Sequence, residues 1–152
     1  MTRKTASPER RVPRRIPELI KTSPSPALAE NNLQRLLELT PQDLAKIPAE
    51  KLPVLVQLLG ASSFLADVLP REGSAWPHLF LRQISIEQKT RVEHLQELDE
   101  TIKSSESFDA FCAALRRHKQ REYLRIGARD LMPSVTLEET VRELTALAGA
   151  SL

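Results

Sequence analysis

From residue 27 onward leucine recurs at helical spacing almost without interruption. The segment LAENNLQRLLEL sets Leu28, Leu33, Leu36, Leu37 and Leu39 largely on one side. Thr40 followed by Pro41 makes an N-cap and first-turn pair, which predicts a short helix PQDLAKI. PAEKLPVLVQLLG reads as a third helix, with Pro53 in its first turn and Gly60 as its C-terminal stop. ASSFLADVL follows and ends at Pro70, and REGSAWPHLF reads as a turn into a short apolar segment. Ser85 and Gln88 stand at capping-box spacing and predict a polar helix over 86–103, with a narrow seam of Val92, Leu95, Leu98 and Ile102. Ser107 caps the next helix, which runs to Met132 before Pro133. At ~1.5 Å per residue its roughly 25 residues reach nearly 38 Å. Thr136 and Glu139 form a second box and open LEETVRELTALAGASL, whose apolar positions are Leu137, Val141, Leu144, Leu147 and Ala148. No alternating stretch suggests a strand. The expected fold is all-α, an irregular bundle of six or seven helices.

The first 26 residues differ. Prolines at 8, 13, 17, 24 and 26 stand among Ser, Thr and Arg without apolar periodicity, so 1–26 is expected to be a disordered basic arm and 27–152 the helical domain. Residues 1–21 hold seven basic groups against two acidic ones, a balance of +5; with +2 overall, the remainder carries −3. Aromatics make up 4%, too few for a base-stacking platform, and nucleic acid is not an expected partner. The lone Cys112 excludes an internal disulfide and suits a reducing, cytoplasmic setting. No apolar run approaches the ~20 residues of a membrane span.

Arg117, Arg121, Arg125 and Arg129 recur every fourth residue and form one stripe along the long helix. Like charges at that spacing repel by a few tenths of a kcal/mol per pair. Three explanations stand: pairing with carboxylates of neighbouring helices such as Glu138, Glu139 and Glu143; a solvated face; or contact with an anionic partner. The guanidinium fork fits carboxylate and phosphate alike, so the stripe does not choose.

Catalytic patterns are missing. Gly60, Gly73, Gly127 and Gly149 are isolated, so no phosphate-cradling loop exists. Asp43, Asp67, Asp99, Asp109 and Asp130 form no Asp-x-Asp pair for a metal. His78, His94 and His118 lack metal-ligand spacing; His94 beside Glu93 and His118 beside Lys119 read as exposed helix residues. Cys112 reads as a small core residue, and Trp76 before Pro77 as the anchor of a turn.

LRRHKQREYLRIGARDL, followed closely by TLEETVRELTALAGASL, resembles the N-terminal helical region of bacterial glutamine synthetase adenylyltransferases, also called glutamate–ammonia ligase adenylyltransferases. LLGASSFLADVLPREGSAWPHLF is similar to an upstream segment of the same family, and the resemblance runs over residues 28–150 in order. It implies kinship to enzymes that transfer AMP from ATP to a tyrosine of glutamine synthetase and remove it by phosphorolysis, using a divalent metal. The family's markers, a Gly-rich loop and a Ser-Asp-x-Asp-Leu motif, have no counterpart here. The expectation is therefore a scaffold and docking segment without the catalytic nucleotidyltransferase domain. Alone it is expected to be inactive, with no catalytic, cofactor-binding or metal residue. ATP and Mg are implied only for the full-length family. The nucleotidyltransferase domain and glutamine synthetase are the implied partners, and the arginine stripe is the candidate anion or interdomain contact. The alternative is a stand-alone adaptor that binds an acidic protein or nucleic acid through its arm and stripe.

Overall fold

The structure, a computed structural model, describes residues 13–152. Among the described residues there are nine α-helices, two 3-10 turns and no strand. The helices are α1 (Ile16–Lys21), α2 (Pro26–Leu39), α3 (Leu52–Ala61), α4 (Ser63–Ala66), α5 (Val68–Arg71), α6 (Trp76–Ser85), α7 (Arg91–Lys103), α8 (Phe108–Asp130) and α9 (Leu137–Ser151). The all-α irregular bundle is the architecture the leucine pattern indicates. The helix number exceeds six or seven for two reasons. ASSFLADVL and the residues after it break into two four-residue helices, α4 and α5, and α1 arises inside the stretch read as a disordered arm.

Helix α1 forms because its apolar residues have somewhere to go. Ile16 is buried, and Leu19 and Ile20 pack against the same core. Pro17 falls in the first turn, where its missing N–H costs nothing. Residues 16–26 are thus built onto the body of the fold, while residues 1–12 lie outside the described residues.

The core is centred on α2, α3, α5 and α6, with Leu36, Leu55, Leu58, Leu59, Leu69, Trp76 and Phe80 almost fully buried. Each such side chain contributes about 1.5–3 kcal/mol of burial free energy. Two polar links fix the layers. Asn32 donates from Nδ2 to the Leu59 carbonyl at 2.8 Å, satisfying one of the free carbonyls in the last turn of α3. The Trp76 indole donates to Thr40 Oγ1 at 2.9 Å, and Thr40 donates in turn to the Leu36 carbonyl at 2.9 Å.

These contacts revise local readings. Thr40 ends α2 instead of opening a helix, and PQDLAKI supplies only a 3-10 turn at Asp43–Lys46. Gly60 is not a stop, since α3 continues through it. A Cβ at Gly60 would meet the Ser23 Cβ at 2.9 Å and the Ala29 Cβ at 3.3 Å, so glycine permits the close approach of α3 to α2. REGSAWPHLF is largely helix: α6 buries Trp76, Leu79, Phe80 and Ile84 along one face. Ser85 closes α6, its hydroxyl donating to the Arg82 carbonyl at 2.7 Å. The capping box of α7 is instead Thr90 and Glu93. The cap at Ser107 and the capping box at Thr136 fall where the sequence indicates.

Helix α8 runs across the bundle with two unlike halves. Leu124, Ile126 and Ala128 are buried, whereas Phe108 is 76% exposed and Phe111, Cys112 and Leu115 are only half-buried. The expected apolar seam of α7 is also displaced: Val92, Leu95 and Ile102 are exposed, and His94 and Leu98 are the buried pair.

Candidate functional site

The four arginines of the stripe share a helix face but not a fate. Arg125 has no exposed side-chain surface. Its Nε donates to Glu122 Oε2 at 2.9 Å and its Nη1 to Glu143 Oε1 at 2.6 Å. Nη1 also reaches the Glu87 carbonyl at 3.2 Å. Arg129 donates from Nη1 to the Ile86 carbonyl at 3.1 Å and lies 3.5 Å from Glu143 Oε2. Glu143 accepts the Lys89 backbone N–H at 3.1 Å as well. Two arginines of α8 and one glutamate of α9 therefore hold the 86–90 connection between α6 and α7. Of the three carboxylates named as possible partners, Glu143 is the one that pairs with the stripe. Glu138 pairs with Arg142 on its own helix, and Glu139 closes the capping box.

The network continues through Lys89. Its Nζ lies 2.6 Å from Glu122 Oε1 and 2.8 Å from Glu97 Oε1. Three cations (Lys89, Arg125, Arg129) thus face three carboxylates (Glu97, Glu122, Glu143), which balances the charge. Burial pushes the Glu122 carboxyl up, but the hydrogen bond from Lys89 and the charge of Arg125 outweigh it and hold the group below its ordinary value.

His94 and His118 sit beside this network, not on an exposed surface. His94 is fully buried, with Nδ1 3.9 Å from Glu122 Oε2. His118 is 14% exposed, with Nδ1 3.9 Å from Glu97 Oε2. The rings meet edge to face at 6.4 Å. Burial lowers both imidazoles below their ordinary value, against the pull of Glu122, so both are neutral near pH 7.

Toward the start of α8 the stripe leaves the network. Arg121 makes a bidentate contact with Glu72, Nε to Oε1 at 3.2 Å and Nη2 to Oε2 at 2.9 Å. Arg117, one turn further, is exposed and pairs with no carboxylate among the described residues. Arg71, Arg116, Arg117 and Arg121 line a cleft of about 380 Å³ between α5 and α8, in which Glu72 is the sole acidic residue. Arg71 and Arg116 belong to this site and escaped the four-residue periodicity: Arg71 comes from another helix, and Arg116 stands one position off the stripe. The cleft can take an anion, because guanidinium donors at its wall offer paired hydrogen bonds.

Mg²⁺ takes oxygen donors, yet the one convergent group of three among the described residues, His94, Glu97 and His118, brings two imidazoles. Among the described residues no helix is long and apolar enough to cross a membrane.

The glutamate-ammonia ligase adenylyltransferase family model matches residues 52–152. A bifunctional glutamine synthetase adenylyltransferase/adenylyl-removing enzyme of Shewanella loihica is 29% identical over 123 residues, 81% of this chain and 13% of that protein. The protein of the same description from Shewanella oneidensis is 30% identical over 122 residues, 80% of this chain and 13% of that protein. The chain thus spans about 13% of the length of the curated relatives it matches. No solved structure gives a significant match. These findings correct the expectation of a segment without the catalytic domain, and with it the adaptor alternative. The adenylyltransferase match takes in residues 52–152, so the chain includes part of the catalytic domain. The error came from equating that domain with its Gly-rich loop and aspartate pair, when it also comprises helices that carry neither. With more than half of its residues under the family model, the chain belongs to the glutamate-ammonia ligase adenylyltransferase family.

Proposed function

We propose that this chain forms a helical part of the catalytic domain of an enzyme that moves AMP between ATP and glutamine synthetase in the cytoplasm. Its own contribution is recognition of an anionic group of that reaction in the cleft of Arg71, Arg116, Arg117 and Arg121. The observation that carries this reading is the location of the cleft. Every one of its lining residues lies within the stretch matched to the adenylyltransferase model. The buried network supports it mechanically. Arg125 and Arg129 consume their charge inside the chain and fix α8, while Arg121 is held in place by Glu72 and Arg117 is left open. A phosphate chain or a carboxylate of the target protein fits these donors equally well. The described residues do not converge on an oxygen-donor site for the magnesium that accompanies ATP, so no step of metal chemistry is assigned to them.

A chimaera of the Shewanella oneidensis relative, with this chain replacing the segment it aligns with, tests the reading. Transfer of labelled AMP to glutamine synthetase by the chimaera is the expected result. Joint reversal of Arg116 and Arg117 to Glu is expected to lower transfer by roughly tenfold or more, the equivalent of ~1.4 kcal/mol. A folded chimaera without transfer would overturn the domain assignment. Unchanged transfer in the reversed form would overturn the role of the cleft.

A further inference from the structure

We propose that His94, Glu97 and His118 form a binding site for a divalent transition-metal ion, Zn²⁺ foremost, that clamps α7 to α8. His94 and Glu97 stand one helical turn apart on α7, and His118 faces them from α8. One donor atom from each lies within 4.8 Å of the other two. The independent sign of a ligand is the state of the imidazoles. His94 is fully buried and neither ring nitrogen has a hydrogen-bond partner, and the Nε2 of His118 is also buried without one. Buried polar groups are nearly always partnered; with His94 Nδ1 beside Glu122 and His118 Nδ1 beside Glu97, each at 3.9 Å, both Nε2 atoms stay unpartnered, and an ion that accepts a lone pair from each ring would supply what is missing.

The donor chemistry selects the ion. Two imidazoles and a carboxylate, with the fourth position left to water, suit zinc and its neighbours; calcium and magnesium prefer oxygen alone. Metal–nitrogen bonds of ~2.1 Å in a tetrahedron set donors ~3.4 Å apart, so the three side chains draw in by about an ångström on loading. Lys89 now contacts both oxygens of Glu97, at 2.8 and 3.0 Å, and Glu122 at 2.6 Å. On metal binding it keeps Glu122 while Glu97 turns one oxygen to the ion. Glu122 beside His94 is placed to orient the imidazole, as carboxylates behind metal-bound histidines do. Glu97 is 39% exposed and gives the ion its path from solvent.

The untagged chain, stripped of metal, is titrated with Zn²⁺ by calorimetry, and the Co²⁺ adduct is read by visible absorption. One ion per chain is expected, with a higher melting temperature and a Co²⁺ spectrum of tetrahedral type without a thiolate band. Glu97→Gln and His118→Gln are expected to weaken binding by more than roughly tenfold, the least that loss of even a supporting partner costs. Cys112→Ser is expected to bind as the parent does. Absence of saturable binding, binding indifferent to Glu97→Gln, or binding lost in Cys112→Ser would overturn the site. Glu97 is the decisive position, because it is the most exposed of the three and the carboxamide keeps its size while Lys89 keeps its pair with Glu122.

Discussion

Arg125 Nη1 lies 2.6 Å from Glu143 Oε1, and neither side chain has more than 1% of its surface exposed. The pair joins α8 to α9, and Glu122, Glu87 and Lys89 are gathered around it. Two charges taken from water gain little over an apolar pair of the same size, but either one alone is costly. Arg125→Ala is therefore expected to destabilise the chain by about 3–5 kcal/mol in urea denaturation. Arg125→Lys restores only part of this, because an ammonium cannot span Glu122 and Glu143 as the guanidinium fork does. A loss below ~1 kcal/mol for Arg125→Ala would show that the pair is not held as described.

Stability falls as the medium is acidified, and the sign follows from the two histidines. Burial lowers the imidazoles of His94 and His118 below the ordinary 6.5, with Lys89 adding to the effect and Glu122 opposing it. The unfolded chain therefore binds protons that the folded chain refuses, and stability rises with pH across that interval. Their contribution is full above 6.5 and is lost as pH falls from there through the folded values. Glu122, also lowered, adds a second loss of the same sign below 4.5. Urea melts in metal-free buffer between about pH 7.5 and about pH 5.5 should show declining stability, with a shallower decline in His118→Gln. Stability that is flat or rising toward acid would contradict the burial of the pair.

Gly60 is a packing residue. Gly60→Ala is expected to cost about 1–3 kcal/mol, because the new Cβ would fall 2.9 Å from the Ser23 Cβ and 3.3 Å from the Ala29 Cβ, atoms attached directly to the backbone. At Gly127 a Cβ would meet only the tip of Leu65, at 2.5 Å. That methyl can swing aside, and the alanine's helix preference of about 1 kcal/mol offsets the shift. The two alanine variants, compared by thermal melting, should therefore differ clearly, with Gly60→Ala the less stable.

Thr40→Val probes the link between α2 and α6. The isosteric change removes the acceptor of the Trp76 indole and leaves a fully buried N–H unpaired. The expected cost is about 1–3 kcal/mol in denaturant unfolding, with a shift in Trp76 fluorescence. An unchanged midpoint would mean that the indole finds another partner.

The helical class was legible because leucine periodicity from residue 27 to 59 leaves no competing pattern. Boundaries were harder where one signal served two uses. Thr40 has the chemistry of an N-cap, but its hydroxyl is taken by Leu36 and Trp76. Ser85 and Gln88 match a capping box in spacing, yet Ser85 is still the last residue of α6 and its hydroxyl is bonded back to the Arg82 carbonyl. Ile16, Leu19 and Ile20 were hidden among prolines that suggested a disordered arm. The stripe itself was visible, and its division was not, since Glu122, Glu143 and Lys89 come from three separate segments. The histidine cluster had a faint sequence signal: His94 and Glu97 share a face, and His118 stands about as far beyond the turn at 104–107 as His94 stands before it. Spacing rules that look for ligands close in sequence pass over it.

The division of the stripe is the claim on which the functional reading stands. Inorganic triphosphate titrated into the isotopically labelled chain, followed residue by residue by NMR at fixed low salt, tests it most directly. The account expects saturable shifts at Arg71, Arg116, Arg117 and Arg121, with Arg125 and Arg129 silent. Saturable shifts centred on Arg125 and Arg129, or none at the cleft, would contradict it.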